Sequence, residues 1–275
     1  MKKIVLTGAA GRIGSVVRAH FAAARQPLLI SDIRPCLAVT PGETERVGDL
    51  CDAAFTRNLL SGVDTVIHMA GIPDYRPLAE LIGPNFLALN TLYTAAQEMG
   101  VRRVVFASSN HATGMYPAGQ IIDTQVAVKP DSDYGAAKVW GEALGRMFWD
   151  KHGLETICLR IGSFTERPVS VRHLSTWLSH RDLCALLEVC IEAPRLGFEI
   201  IYGVSANTRS WWDNRHSRLP YRPLDNAEDY AERIAREAPP ADPLEARFQG
   251  GDFAARYFNR ADERANESGL ADNLT

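Results

Sequence analysis

The chain has 275 residues, of which 46% are hydrophobic, and its formal net charge at pH 7 is -3. A chain of this length and apolar content can bury a large core, which excludes a single-layer module and favours one large domain, with or without a small appendage. The weak net charge and the lack of a Lys/Arg run argue against nucleic-acid or membrane-surface partners.

The apolar segments and the cysteines indicate a compartment. No apolar run approaches the ~20 residues of a membrane span, and the N-terminus carries no apolar signal region. The five cysteines lack metal-finger spacing, so we expect reduced thiols and no metal site. These features predict a cytoplasmic protein.

A glycine-rich turn follows the first apolar run. Residues 3–7 form that run, and Gly8, Gly11 and Gly14 follow it at a spacing of three. Apolar side chains then recur at helical spacing, which predicts a buried strand turning tightly into a helix. Gly8 permits the turn, Gly11 lets the backbone approach a pyrophosphate, and Gly14 lets the helix pack on the strand. Glycines alone would also fit a plain tight turn, but the helix N-terminus behind them favours a phosphate cradle.

Acidic residues end the next two predicted strands. Asp32 closes the second apolar run about 20 residues beyond the turn, where a carboxylate would hold the adenosine ribose hydroxyls. Asp49 closes a short strand and has two interpretations, a contact with the adenine amino group or a cap of the following helix. A fourth strand over residues 63–69 runs into a turn at Gly71, where a doubly wound sheet presents its backbone to a ligand. His68 in this strand is interpreted as a satisfied core residue.

A polar cluster follows the strand over residues 103–107. It consists of Ser108, Ser109, Asn110 and His111. Random loops also contain Ser and Asn, but ligands of open α/β sheets bind at these strand ends. The cluster is therefore a candidate binding site.

Tyr134 and Lys138 lie four residues apart in a helical stretch. This spacing puts the phenol and the ammonium on one helix face. A phenol with a pKa of about 10 is a poor base at neutral pH, and an adjacent cation lowers that pKa. An ordinary amphipathic helix would explain the pair alone, but the glycine turn and the serine cluster favour a catalytic role.

Strands and helices alternate up to Ile161, and the alternation loosens afterwards. The pattern predicts an α/β fold with a doubly wound parallel sheet, a Rossmann fold. We expect residues 1–161 to form an NAD-binding core and residues 162–275 a small loop-rich, substrate-binding region that completes the same domain. Beyond Pro239 we expect a polar tail with little to pack.

Taken together, the glycine turn, the acidic strand ends and the Ser, Tyr and Lys residues resemble the extended short-chain dehydrogenase/reductase family, with its NAD-dependent epimerases and dehydratases. More narrowly, five stretches are similar to bacterial uronate dehydrogenases. They are residues 107–111, 160–163, 172–177, 203–207 and 211–214. The similarity runs from Lys3 to about Gly251.

The resemblance implies an activity and its catalytic residues. It implies NAD-dependent oxidation of D-glucuronate and D-galacturonate at C1 to the aldarolactone, which hydrolyses to the aldaric acid. Tyr134 takes the acid/base role, Lys138 activates it, and Ser109 hydrogen-bonds the reacting hydroxyl. NAD is the implied cofactor, a small sugar acid is the implied partner, and we expect a homo-oligomer.

The resemblance also implies the binding residues. The implied cofactor-binding residues are Gly8, Gly11, Arg12, Ile13, Gly14, Asp32, Ile33, Arg34, Asp49, Leu50, Ala70, Gly71, Lys138 and Ile161. The implied substrate-binding residues are Pro73, Ser109, Asn110, His111, Tyr134, Ser163 and Arg172. Pro73 stands where we expect a serine that touches the sugar, and proline offers only its carbonyl. A guanidinium such as that of Arg172 is suited to bind the uronate carboxylate in bidentate fashion.

Two other functions stay open. A nucleotide-sugar epimerase or dehydratase of the same family needs a larger C-terminal region than the one after Ile161, because it must grip a nucleoside diphosphate. A non-catalytic NAD-binding regulator is the third class. The presence of both Tyr134 and Lys138 argues against it.

Overall fold

The computed structural model describes residues 2–259. Its strands are β1 (Ile4–Thr7), β2 (Leu28–Asp32), β3 (Glu43–Val47), β4 (Thr65–His68), β5 (Arg103–Ser109), β6 (Ile122–Asp123), β7 (Glu155–Ile161), β8 (Ser163–Phe164), β9 (Trp177–Leu178), β10 (Phe198–Gly203) and β11 (Trp212–Asp213). Its α-helices are α1 (Arg12–Ala23), α2 (Ala53–Leu60), α3 (Leu78–Leu81), α4 (Ala88–Glu98), α5 (Asp133–His152), α6 (His173–Thr176), α7 (His180–Glu192), α8 (Ala231–Glu237) and α9 (Asp252–Ala255). A π-helical turn, Ile82–Leu87, joins α3 to α4.

Seven strands form one parallel sheet. Their order is β3-β2-β1-β4-β5-β7-β10, and each neighbouring pair runs parallel. The order reverses between β1 and β4, and in such sheets ligands bind outside the carboxyl ends of the strands at this point. The predicted doubly wound α/β fold is confirmed.

Helices cover both faces of the sheet. Ile4 and Leu6 of β1 belong to the same buried cluster as Val17 and Phe21 of α1, and this cluster also takes in side chains of α7. Val5, which lies between them in β1, belongs instead to the cluster formed with α2, α4 and α5. Because side chains alternate along a strand and both faces are covered, the central strands β1, β4, β5 and β7 are buried along their whole length.

Residues beyond Ile161 contribute to the central sheet as well as to the loop-rich region. β10 pairs with β7 along its length, while two small sheets, β6 with β11 and β8 with β9, lie outside the main one. The division at residue 161 stays a prediction, and residues 260–275 of its second part lie outside the described residues. In the described part of the chain, no helix is both long and apolar enough to cross a membrane.

The predicted polar tail is wrong for residues 244–259, which fold back onto the body of the protein. Gln249 is fully buried, and its backbone N–H donates to the carbonyl of Tyr116 at 2.9 Å. The N–H of Gly250 donates to the carbonyl of Gly114 at 2.8 Å. Backbone hydrogen bonds and a buried amide hold this segment in place. Contacts of this kind need no apolar periodicity, so the sequence carries no signal that the segment is packed.

Candidate active site

The glycine turn between β1 and α1 is as compact as its sequence predicts. Gly8 has a φ of +74°, and a Cβ there would lie 2.6 Å from the backbone nitrogen of Ala70. A Cβ on Gly14 would lie 2.2 Å from the carbonyl oxygen of Gly8, so only glycine allows this approach of helix to strand. Gly11 is the N-cap of α1 and provides no side-chain cap. The N–H groups of the first helical turn therefore suit a phosphate.

The Asp32 carboxylate lies beside this turn. Its Oδ2 accepts a hydrogen bond from the N–H of Ala10 at 3.0 Å, and its Oδ1 accepts one from the N–H of Arg34 at 3.3 Å. The side chains of Ile33 and Arg34 point to solvent. The acidic strand end and the glycine turn thus form one unit, as a ribose and pyrophosphate site requires.

Asp49 does not cap the next helix. Its Oδ1 accepts from the N–H of Cys51 at 2.8 Å, whereas Asp52 is the N-cap of α2 and accepts from Ala54 and Phe55. The capping interpretation of Asp49 is therefore wrong, and the adenine interpretation stays a prediction.

The turn after β4 is fixed by an asparagine. Asn85, in the π-helical turn, accepts from the N–H of Ile72 at 2.8 Å and donates to its carbonyl at 3.0 Å. This clamp holds Gly71, whose φ is +130°, and Pro73 at the edge of the sheet. His68 is buried with its Nδ1 2.8 Å from the Thr7 hydroxyl, and burial lowers its pKa to about 3, as befits a core residue.

Ser109, Tyr134 and Lys138 meet at the carboxyl end of β5. Ser132 caps α5 by accepting from the N–H of Gly135, which starts the helix just before Tyr134. Tyr134 and Lys138 are both buried, and the Lys138 ammonium lies 5.4 Å from the centre of the tyrosine ring. The same ammonium donates to the carbonyl of Ala107 at 2.8 Å.

Burial dominates the ionisation of the Tyr134 and Lys138 pair. It raises the pKa of Tyr134 to about 12, against the opposing effects of a hydrogen bond with Ser109 and of the Arg12 charge. It lowers the pKa of Lys138 to about 8. The expected lowering of the phenol pKa by Lys138 is not seen: desolvation raises that pKa, and the Lys138 ammonium donates to the carbonyl of Ala107.

Arg172 brings a guanidinium to the opposite side of the site. Its Nε donates to the carbonyl of Gln249 at 2.8 Å, and its Nη1 donates to the Ser163 hydroxyl at 3.0 Å. With its amide oriented to satisfy both neighbours, Asn110 donates to the carbonyl of Ile161 and accepts from Nη2, each at 3.0 Å. Burial lowers the pKa of Arg172 to about 10. Since Nη2 also donates to Gln249, four of its five N–H groups are engaged within residues 2–259, and the predicted bidentate contact is not preformed.

His111 lies between Tyr134 and the segment of residues 244–259. Its Nδ1 is 2.7 Å from Oδ2 of Asp131, and its ring stacks on Phe253 with centres 4.2 Å apart. The His111 and Tyr134 rings pack in a T-shaped arrangement with centres 5.8 Å apart.

One cleft of about 290 Å³ brings most of the predicted residues together. The predicted residues that line it are Arg12, Ile13, Ala70, Gly71, Pro73, Ser109, Asn110, His111, Tyr134, Lys138, Ile161, Ser163 and Arg172. The remaining predicted cofactor residues lie outside this cleft, around the glycine turn and the ends of β2 and β3. They are Gly8, Gly11, Gly14, Asp32, Ile33, Arg34, Asp49 and Leu50.

Comparison with known proteins agrees with this architecture. The model of the NAD dependent epimerase/dehydratase family matches residues 4–167. The chain belongs to this family. It is 41% identical over 261 residues to a uronate dehydrogenase of Pseudomonas putida, covering 94% of this chain and 97% of that protein.

Two solved structures are similar to this chain over nearly its whole length. One is a tyrosine-to-alanine variant of a uronate dehydrogenase from Agrobacterium tumefaciens complexed with NAD, at 40% identity and a TM-score of 0.89, covering 94% of this chain and 100% of that one. The other is a glucuronic acid dehydrogenase from Chromohalobacter salexigens, at 38% identity and a TM-score of 0.89, covering 95% and 99% of the two chains.

Several residues of the site are not among the predicted ones, including Phe164, Thr165 and His173 in the lining of the cleft. Asp131, Gln249 and Phe253 each contact a predicted site residue. Two consecutive glycines, Gly250 and Gly251, lie just before Phe253 in the sequence. Such a pair is a local signal of a tight turn, because glycine adopts backbone conformations that other residues rarely adopt. Asp131 carries no such local signal, because its partner His111 lies 20 residues away.

Proposed function

We propose that this chain oxidises D-glucuronate and D-galacturonate at C1, with NAD as hydride acceptor, giving the aldarolactone that hydrolyses to the aldaric acid. The observation that carries the proposal is the guanidinium of Arg172 in the wall of the catalytic cleft. None of the carboxylates within residues 2–259 forms an ion pair with it. A partly desolvated cation gains most from an anionic ligand, and a uronate differs from a neutral hexose by one carboxylate. The names of the similar proteins support the same substrate class.

The chain's own residues account for the proton transfer. Tyr134 accepts the proton of the anomeric hydroxyl, and Ser109 hydrogen-bonds the same oxygen and aligns it with the phenol. Because the pKa of Tyr134 is about 12, the fraction of phenolate, and with it the rate, rises with pH. Arg172 holds the far end of the sugar through its charge and its remaining Nη1–H, with Ser163, Asn110 and His111 around it.

The cofactor residues fit a dinucleotide. The uncapped N-terminus of α1 behind Gly8, Gly11 and Gly14 suits the pyrophosphate, and Asp32 suits the adenosine ribose. Ile33, Arg34, Asp49 and Leu50 flank the adenine end, and Arg12, Ile13, Ala70, Gly71, Lys138 and Ile161 lead to the catalytic cleft. When bound, NAD supplies the hydride acceptor.

A substrate panel tests the proposal. NAD is added to the protein with glucuronate, galacturonate, glucose or a nucleotide sugar, and the appearance of NADH is followed by absorbance. We expect NADH with the two uronates, and a far slower appearance of NADH with Tyr134→Phe protein under the same conditions. Conversion of a nucleotide sugar without net NADH would indicate an epimerase or dehydratase, and NAD binding without turnover of any sugar would indicate a regulator.

We further propose a cytoplasmic homo-oligomer that acts on the free sugar acid. All five cysteines are free thiols, which supports a reducing compartment. Light scattering at several protein concentrations tests the oligomeric state.

A further inference from the structure

Asp131 carries a buried carboxylate behind the substrate side of the cleft. Its side chain is fully buried in the loop before α5, with Oδ2 2.7 Å from Nδ1 of His111 and Oδ1 accepting from the Ser132 hydroxyl at 2.8 Å. Across the described chain, no Lys or Arg forms an ion pair with it. A buried carboxylate is retained only where its hydrogen bonds offset the loss of water. His111 is therefore its principal partner.

Glycines surround this carboxylate. A Cβ on Gly114 would lie 1.8 Å from Oδ2 of Asp131, and a Cβ on Gly250 would lie 2.0 Å from the same oxygen. Both distances are far below any real contact, so the space that Asp131 occupies exists only because these two residues lack side chains. The N–H of Gly250 donates to the carbonyl of Gly114 at 2.8 Å and closes the ring of backbone around the carboxylate.

Gly250 belongs to a segment, residues 249–253, which we call the C-terminal strap. At one end of the strap the carbonyl of Gln249 accepts from Nε of Arg172, and at the other end Phe253 stacks on the His111 ring. Asp131 thus contacts His111 directly and reaches Arg172 through the packing of the strap. His111 and Arg172 both line the cleft, on the side of Ser163 and Asn110.

We infer that Asp131 is a positioning residue for the sugar acid: it fixes the ring of His111 and seats the C-terminal strap that orients Arg172. The inference rests on the proposed function for the identity of the substrate. It assigns no contact between Asp131 and the sugar.

The hydrogen bond also sets the tautomer of His111. An ionised carboxylate only accepts hydrogen bonds, so Nδ1 of His111 carries the hydrogen and donates it to Asp131. The other ring nitrogen, Nε2, is then free to accept from a sugar hydroxyl in the cleft. A histidine whose second nitrogen is held by a carboxylate keeps both its ring orientation and its tautomer.

Three single substitutions test the role of the carboxylate. Asp131→Asn keeps an oxygen that can accept from Nδ1 but removes the charge, and Asp131→Ala removes the acceptor. Asp133→Asn is the matched control, because Asp133 is an exposed carboxylate two residues away in the first turn of α5. Kinetics are measured with glucuronate and with NAD varied separately.

For Asp131→Ala we expect the KM for glucuronate to rise by about tenfold or more, since a charge-assisted hydrogen bond is lost. The KM for NAD of Asp131→Ala should stay at the wild-type value. The KM for glucuronate of Asp131→Asn should lie between those of wild type and Asp131→Ala, and that of Asp133→Asn should match wild type. A general structural lesion would instead raise both KM values and would not be rescued by asparagine. An unchanged KM for glucuronate in Asp131→Ala would overturn the inference, and so would equal damage to both KM values.

A spectroscopic measurement separates this inference from the proposed function. In protein labelled with ¹⁵N-histidine, the His111 resonances should report a protonated Nδ1 in wild type, and Asp131→Ala should shift them towards the other tautomer. If wild type failed to oxidise any uronate but the tautomer shifted as expected, the proposed function would be wrong and the contact with Asp131 right. Resonances that do not respond to Asp131→Ala would overturn the inference whatever the substrate.

A substitution at a neighbouring glycine displaces the Asp131 carboxylate without changing Asp131 itself. Gly114→Ala places a methyl group on Oδ2 of Asp131, whereas Gly83→Ala, with nothing within 4 Å of the new Cβ, is the control. We expect Gly114→Ala to raise the KM for glucuronate in the same direction as Asp131→Ala, and Gly83→Ala to leave it unchanged. A folded Gly114→Ala protein with wild-type kinetics and wild-type His111 resonances would contradict the inference.

Discussion

The guanidinium of Arg172 donates both Nε and Nη2 to the backbone carbonyl of Gln249, at 2.8 and 2.5 Å, although the two residues lie 77 positions apart. The Gln249 side chain is held in turn, because its Oε1 accepts from the indole N–H of Trp212 at 2.7 Å. The arginine is thus oriented by the C-terminal strap, a segment remote from it in sequence. This relationship decides how variants of Arg172 are interpreted.

Replacing Tyr134 by Phe removes the proton acceptor and keeps the ring. We expect kcat to fall by a factor on the order of 10² or more, with NADH affinity unchanged, because only the proton transfer is lost. The wild-type rate should rise with pH through the neutral range, since the pKa of the phenol is about 12, and the residual rate of the variant should not. Ser109→Ala should lower kcat by a smaller factor, because it removes one hydrogen bond and leaves the proton acceptor in place. A Tyr134→Phe enzyme that kept more than about a tenth of the activity would refute the assignment.

Lys138 should reduce stability at neutral pH. Its pKa falls from 10.5 to about 8 on burial, so the folded state binds the proton less well than the unfolded state. The resulting penalty is full below pH 8, fades between about 8 and 10.5, and is absent above, because stability rises with pH where the unfolded state binds more protons. Lys138→Met should therefore inactivate the enzyme yet raise the free energy of unfolding at pH 7 by roughly 2 to 3 kcal/mol.

Denaturant unfolding of wild type and Lys138→Met at several pH values measures this effect. The gain in the variant should shrink as the pH rises from 8 towards 10.5. A gain that does not change with pH would indicate better packing of methionine and not the release of a buried charge.

The sequence predicted the elements whose signal is local. The glycines at 8, 11 and 14 define a turn by their spacing, and Tyr134 and Lys138 share a helix face by theirs. Both features depend on backbone geometry over a few residues, which the order of residues determines. The sequence also predicts a binding site at Ser109, because a parallel sheet brings the carboxyl ends of its strands to one edge.

The sequence failed where a residue acts through a distant partner. Asp131 and Gln249 are polar residues in irregular segments, and nothing within a few positions distinguishes them from solvent-facing loop residues. Their roles come from tertiary contacts with His111 and Arg172. The raised pKa of Tyr134 lies beyond the sequence for a related reason, since helical spacing gives the distance to Lys138 but not the degree of desolvation.

Asp32 should make NAD the preferred cofactor. Its carboxylate would repel the 2′-phosphate of NADP and hydrogen-bond the bare ribose of NAD, while the exposed Arg34 would attract the phosphate. Asp32→Ala should narrow the gap in kcat/KM between the two cofactors, partly by weakening NAD, because the N–H of Ala10 also loses its acceptor. Arg34→Ala should widen the gap. A wild-type kcat/KM for NADP at or above that for NAD would contradict the argument.

Arg172 should distinguish uronates from neutral sugars. Glucose has a CH₂OH group in place of the carboxylate and leaves the guanidinium without an anion. A charge-assisted contact in this cleft is worth roughly 1.5 to 3 kcal/mol, or about ten- to a hundredfold in kcat/KM. Arg172→Ala should therefore lower kcat/KM for glucuronate by at least about tenfold, leave NADH affinity nearly unchanged, and reduce the preference for glucuronate over glucose.

Arg172→Lys separates charge from geometry. Lysine keeps the positive charge but cannot donate to Gln249, Ser163 and Asn110 together, so it should restore only part of the preference. Arg167→Ala is the matched control, because Arg167 is an exposed arginine of the same region, and it should behave as wild type. If Arg172→Ala lost activity on glucuronate and glucose equally, the arginine would serve to hold Gln249 and not to bind the carboxylate. His111 would then be the next side chain to test for that contact.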